Sequence, residues 1–137
     1  MRFPYVSADG LPASLMPRLA LTLSYGKRFV EVVGLLDTGA AVNVLPYEVG
    51  IALGAIWEDQ KFIVPLVGSL GRYEARGLAV LASHPRLNPG NPVRLVCAWT
   101  KVKDAPMLFG QFNFFMEFDV CFYRSQSIFD INLKANT

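Results

Sequence analysis

The sequence predicts a mainly β domain of closed, barrel-like form with one short C-terminal helix. Three observations predict it. Short runs rich in β-branched and aromatic residues recur along the chain. Leu19, Leu21 and Leu23 alternate with Ala20, Thr22 and Ser24, the two-residue period of a sheet with one buried face. Turn residues punctuate the runs, and no internal repeat or linker divides them. The length of 137 residues suits a single domain. Hydrophobic residues at 53% against charged residues at 18% reverse the signature of disorder, so the chain can bury a core.

Residues 1–15 hold Pro4, Asp9-Gly10 and Pro12 among small residues and read as an irregular N-terminal arm, either a pro-segment or an interface strand. The single domain then spans 16–137. From Pro17 the alternating run gives a first strand, Tyr25-Gly26-Lys27 a turn, and Arg28 to Leu36 a second strand. After Pro46, Tyr47 to Ala55 reads as a helical turn or a short irregular link. Phe62 to Leu66 and Tyr73 to Leu81 are strands flanking Val67-Gly68-Ser69-Leu70-Gly71, whose glycines permit positive φ at a hairpin tip. His84 to Pro92 is a loop, Val93 to Thr100 a strand, and Met107-Leu108-Phe109 a short strand stopped by Gly110. Phe112 to Phe118 reads as the one helix, because Phe114, Phe115 and Phe118 meet on one side. Val120 to Tyr123 and Ile128 to Ile131 close the chain as strands around the turn Arg124 to Gln126.

Composition removes several function classes. A formal net charge of +2 is too weak for a nucleic-acid binder, which must neutralise phosphates with clustered Lys and Arg. The longest aliphatic stretches, such as Val32-Val33-Gly34-Leu35-Leu36, fall far short of the ~20 residues a membrane helix needs. Met1-Arg2-Phe3-Pro4-Tyr5 lacks the pattern of a secretory signal, which points to a cytoplasmic protein. Cys97 and Cys121 share no metal spacing and read as reduced, buried thiols. His84 is the only histidine, sits beside Pro85 and reads as a surface residue, so a histidine zinc site and a Ser-His-Asp triad are poorly supported, although one histidine could in principle serve a triad. No metal or organic cofactor is expected. The positive mean hydropathy suggests more apolar surface than one folded copy can cover, which homo-oligomerisation would hide.

The strongest chemical signal is Leu35-Leu36-Asp37-Thr38-Gly39-Ala40. An ionised carboxylate is costly to desolvate, so an Asp directly after a buried-type strand contradicts its surroundings. A structural turn or cap would explain the triplet alone. The following Ala41-Val42-Asn43-Val44-Leu45-Pro46, however, returns at once to apolar, β-type residues. The carboxylate is thereby placed at a sharp bend between two buried segments, the setting of a functional site.

Leu35 to Ala40 followed by Val44-Leu45-Pro46 resembles the active-site loop of the retropepsin-like aspartic proteases, the single-lobed relatives of retroviral proteases. Val67-Gly68-Ser69-Leu70-Gly71 resembles the glycine-rich flap, although alone it reads equally as an ordinary hairpin tip. Met107 to Gly110, followed by the helix-like Gln111 to Phe118, resembles the strand that supports the active-site loop and leads into the family's helix. The resemblance spans roughly residues 17 to 131. It implies an aspartic endopeptidase fold acting as a symmetric homodimer on a peptide or protein substrate. Two carboxylates share a proton in that chemistry. The chain has one Asp-Thr-Gly: Asp119 reads as the end of a helix and Asp130 as a residue of the sheet surface, so the second carboxylate would be Asp37 of another copy.

The resemblance also implies roles. Asp37 would be base in one subunit and acid in the other, Thr38 would bond across the dimer axis, and the Gly39 carbonyl would accept a peptide N–H. Ala40 and Ala41, with the flap Val67, Gly68, Ser69, Leu70 and Gly71, would line the substrate, Leu70 standing at the tip. Two departures stand out. Ala41 and Gln111 occupy the positions of a retroviral acid–Arg pair, so both partners are lost together and no charge is stranded. Ser69 and Arg72 stand where retroviral flaps carry more glycine, suggesting a stiffer or differently closing hairpin. A non-catalytic dimeric peptide-binding or assembly module is the alternative reading, and a monomeric small-ligand barrel is a third.

Overall fold

The computed structural model describes residues 1–68 and 71–135. It begins with β1 (Arg2–Pro4), β2 (Val6–Ser7) and β3 (Leu15–Met16). The hairpin β4 (Arg18–Tyr25) and β5 (Arg28–Leu36) then runs in full register from Arg18↔Leu35 to Tyr25↔Arg28. Gly26 takes φ of 59° in the two-residue turn, where a side chain would be strained and the strand twist favours positive φ. β6 (Asn43–Pro46), α1 (Tyr47–Ala52), β7 (Ile63–Gly68), β8 (Gly71–Ser83) and β9 (Val93–Thr100) follow. The chain ends with β10 (Leu108–Phe109), α2 (Phe114–Glu117), β11 (Phe118–Tyr123) and β12 (Ile128–Leu133).

Hydrogen bonding orders the main sheet β4-β5-β10-β6-β9-β8-β7, and a further pairing of β4 with β8 closes it. Six strands therefore form a barrel, while β7 projects from it on the outer edge of β8. Closure leaves no open edge between β4 and β8, which meet at Leu23↔Ala82. Inward side chains of alternate residues, among them Leu21, Leu45, Leu78, Leu95 and Trp99, fill the interior. A second sheet, β1-β12-β11, packs on the barrel through Phe118, Phe129 and Ile131. Phe114 joins the two layers, stacking on Phe109 and Phe118 with ring centroids 4.8 Å away in each case. No helix among the described residues is long and apolar enough to cross a membrane.

The arm differs from the irregular segment expected. β1 pairs with β12 from Arg2↔Asp130 to Pro4↔Ile128, and β2 pairs with β3. Phe3 and Tyr5 both pack on Phe129, which draws the arm onto the second sheet. The C-terminal helix is also shorter than expected. Phe118 pairs with Leu133 and Asp119 with Asn132, so the strand begins where a last helical turn was expected. Asp119 therefore lies exposed on β11 rather than ending a helix. Asp130 sits on β12 and accepts the Met1 ammonium at 2.7 Å. The 47–55 segment takes the helical alternative through α1.

His84 is half-buried rather than on the open surface. Its Nδ1 accepts backbone N–H groups of Arg86 and Leu87, and its ring meets Phe3 edge-on. Burial, with the nearby Arg86 charge, holds its pKa below the ordinary histidine value, which favours the neutral ring and matches this acceptor role.

The cysteines also divide. Cys97 is buried, but Cys121 is exposed on β11. Burial pushes the Cys97 thiol up from 9.0 to about 12. A raised value stabilises the fold fully below the unfolded thiol's value, and that stability is lost as pH rises from about 9 towards about 12. We expect an aromatic disulfide reagent at pH 8 to titrate Cys121 rapidly and Cys97 only after denaturation. Equal rates for both thiols would contradict this burial.

Candidate active site

Strand order dictates the shape of the loop that carries Asp37. β10 lies between β5 and β6, parallel to the first and antiparallel to the second. The chain leaving β5 must therefore cross the end of β10 before it enters β6. Asp37 is the first residue beyond the ladder, one past Leu36↔Phe109, and its N–H donates to the Phe109 carbonyl at 3.0 Å. The turn is closed locally by Asp37 itself. Its Oδ1 accepts the Gly39 N–H at 2.9 Å and its carbonyl accepts the Ala40 N–H at 3.1 Å.

The segment after β10 clasps the same loop from the other side. Gln111 N–H donates to Ala40 O, Phe112 N–H to Ala41 O and Asn43 N–H to Phe112 O, each at 2.9 Å. Contact is close enough to require glycine at position 110. A Cβ there would stand 2.4 Å from Val42 O and 2.8 Å from Ala40 O, both backbone atoms that cannot swing aside. Beneath the loop lies a buried amide pair. Asn43 Oδ1 accepts Gly110 N–H at 2.9 Å, and Asn43 Nδ2 donates to Val96 O and Asn113 Oδ1, both at 3.0 Å. Asn113 in turn accepts Val96 N–H and donates to Arg94 O, both at 2.9 Å. One polar network thus fixes the loop to β9.

Asp37 is half-buried and stands between two clefts, while Thr38 and Gly39 are exposed. One cleft, of about 430 Å³, runs from Asp37, Gly39, Ala40 and Ala41 to Pro65 and Leu66 near the root of the β7–β8 hairpin. Val42, Val44 and Leu108 give it an apolar floor. The other, of about 350 Å³, reaches from Asp37 and Thr38 to Tyr5, Met16, Phe122 and Arg124. Among the described residues, Asp37 is the only carboxylate lining either cleft, and Arg124 the only cation. Among the described residues, no three His, Cys, Asp or Glu groups come together as a metal site would require.

The expected site residues Asp37, Thr38, Gly39, Ala40 and Ala41 thus share one loop beside the clefts. Val67, Gly68 and Gly71 lie in the hairpin ladder, where Val67 pairs with Arg72 and Gly68 with Gly71. Ser69 and Leu70, the expected tip, lie outside the described residues. Sequence reasoning missed Pro65, Leu66 and Leu108 as cleft walls, and it missed the Asn43–Asn113 pair. Val42 and Val44 carried a legible signal, since their spacing of two aims both at one face of the chain entering β6.

No protein-family model matches the sequence, and no curated protein matches it. Solved structures do. A retropepsin-like aspartic protease from Rickettsia conorii aligns with a TM-score of 0.63 at 12% identity, over 96% of this chain and 98% of that one. The EIAV protease complexed with the inhibitor HBY-793 aligns with a TM-score of 0.49 at 15% identity, over 74% of this chain and 86% of that one. The likeness to the Rickettsia protein shows that the chain has the retropepsin-like fold.

Proposed function

We propose that this chain, with its retropepsin-like fold, is an aspartic endopeptidase that works as a homodimer with one Asp37 from each copy. The observation that carries the reading is the lone carboxylate. A half-buried Asp stands on a pinned loop between two mostly apolar clefts, and among the described residues no second acid lines them. A two-fold axis beside Asp37 and Thr38 supplies the missing group without further sequence.

Two close carboxylates cannot both ionise at low cost, so the pair holds one proton between them. The ionised Asp37 takes a proton from water as the water oxygen bonds to the scissile carbonyl carbon. The protonated Asp37 gives its proton to the carbonyl oxygen. The tetrahedral diol then collapses: one hydroxyl proton passes to the ionised Asp37, the C–N bond breaks, and the amine leaves with the proton held by the other Asp37, so the pair again shares one proton. An extended peptide lies along the 430 Å³ cleft, its N–H bonding the Gly39 carbonyl and its side chains resting on Ala40, Ala41, Val42 and Val44. The β7–β8 hairpin serves as the flap, with Val67, Gly68, Ser69, Leu70 and Gly71 covering the substrate and Thr38 bonding across the axis.

The test is cleavage of a mixed peptide library at acidic and neutral pH over a dilution series from micromolar to nanomolar protein. Activity per chain is expected to fall on dilution, because two chains build one site. Cleavage that scales linearly with concentration throughout would reject the shared dyad. Peptide binding without cleavage, at concentrations where the protein is dimeric, would favour a binding module.

A further inference from the structure

We propose that Gln111 is a positioning residue for Asp37, acting through the one peptide unit that joins Thr38 to Gly39; the role rests on the reading of Asp37 given above. Both ends of that unit are engaged. Its N–H, on Gly39, donates to Asp37 Oδ1 at 2.9 Å, and its carbonyl, on Thr38, accepts Gln111 Nε2 at 2.9 Å. The three groups form a short chain of hydrogen bonds from side-chain amide to peptide to carboxylate. A peptide group bonded at its oxygen is polarised into a better donor at its nitrogen, so Gln111 strengthens the bond that Asp37 receives.

The contact also fixes orientation. Thr38 and Gly39 are exposed, and glycine imposes little restriction on its own backbone, so the local turn bonds to Asp37 are all that hold the Thr38–Gly39 plane on its N–H side. Rotation would carry the N–H away from the carboxylate. Gln111 opposes this with two anchors on the loop, its backbone N–H on Ala40 O and its side chain on Thr38 O. Among the described residues, no other side chain donates to the backbone of 37–41. The donor is neutral, so it holds the loop without placing a second cation beside the dyad. Among the described residues, Arg124 is the one charged side chain that lines either cleft with Asp37.

Two substitutions separate a donor from a spacer. Gln111→Met keeps the length and removes the donor. Gln111→Glu keeps the shape but presents only acceptors when ionised, facing the Thr38 carbonyl with like polarity. A role in packing alone would rank Glu closer to wild type than Met, whereas the donor role ranks Glu last at neutral pH. For Gln111→Met, kcat is expected to fall about five- to tenfold with KM unchanged, the size of one hydrogen bond felt at the reacting carboxylate. The acidic limb of the kcat/KM profile should move to higher pH, because a lost N–H donor disfavours the ionised carboxylate. In the amide spectrum of the labelled dimer, the Gly39 proton should shift upfield and exchange at least about tenfold faster, with the resonances of β4, β8 and β9 unmoved. An unchanged Gly39 amide, or an activity order with Glu above Met, would overturn the role. If the wild type itself cuts no peptide, the endopeptidase reading fails, and the Gly39 amide still decides whether Gln111 governs that peptide unit.

Discussion

Asp37→Asn is expected to give a folded protein that still pairs and cleaves nothing. The substitution is close to isosteric, and the Asn Oδ1 can accept the Gly39 N–H that Asp37 accepts at 2.9 Å. The local turn therefore survives. What disappears is a group able to take a proton from water, and general acid–base catalysis is worth about 10²–10⁴ in rate. Cleavage should fall by at least about 10³-fold, with the melting temperature held or raised, since the site no longer has to take up a proton to keep two carboxyl groups together. Mixing supplies a sharper test. When equal amounts of wild type and Asp37→Asn exchange subunits at random, about one quarter of the dimers keep two Asp37 carboxylates. Activity should settle near that quarter of an all-wild-type sample. Half the activity would mean that each chain works alone.

How much of this was legible in the sequence depended on the range of the interactions involved. The hairpin of Arg18–Tyr25 and Arg28–Leu36 could be read because alternation and a Gly-containing turn are local signals. The arm could not, since the three-residue β1 exists through partners more than a hundred positions away, such as Arg2↔Asp130, and β2 and β3 have only two residues each. The Phe114, Phe115 and Phe118 spacing misled for a related reason. Phe118 does reach the same aromatic stack as Phe114, but it does so as the first residue of a strand held by Leu133. Asp37 was legible as a charge interrupting an apolar run. Asn43, Gln111 and Asn113 were not, because a single amide reads as a turn residue until its distant backbone partners are known.

Asn43 is where the largest loss of stability is expected. Its side chain is fully buried, and it saturates three groups from separate segments: Gly110 N–H, Val96 O and Asn113 Oδ1. Asn43→Leu fits the volume but leaves the Gly110 N–H without its acceptor and takes the side-chain donor from Val96 O, while Asn113 Oδ1 keeps only the Val96 N–H. An orphaned buried polar group costs about 1–3 kcal/mol, so the substitution should cost on the order of 4 kcal/mol. For a domain of this size the melting temperature should drop by roughly 15 °C, and the fraction that stays folded should lose activity because Gly110 and the 40–42 loop shift together. Asn43→Asp adds a pH dependence of definite sign. Ionised, it would turn a charge towards Val96 O and Asn113 Oδ1, both acceptors, so the fold favours the protonated acid. Its stability should decline as pH rises, with the deficit against wild type smallest in acid and largest at neutral pH. The pairing can be isolated as well. Asn113→Ala should add little to Asn43→Ala, because either change already breaks the network that both residues serve. Urea unfolding across pH 4–8 measures all three quantities. Asn43→Leu melting within about 3 °C of wild type would show that the loop is held by its backbone clasp alone.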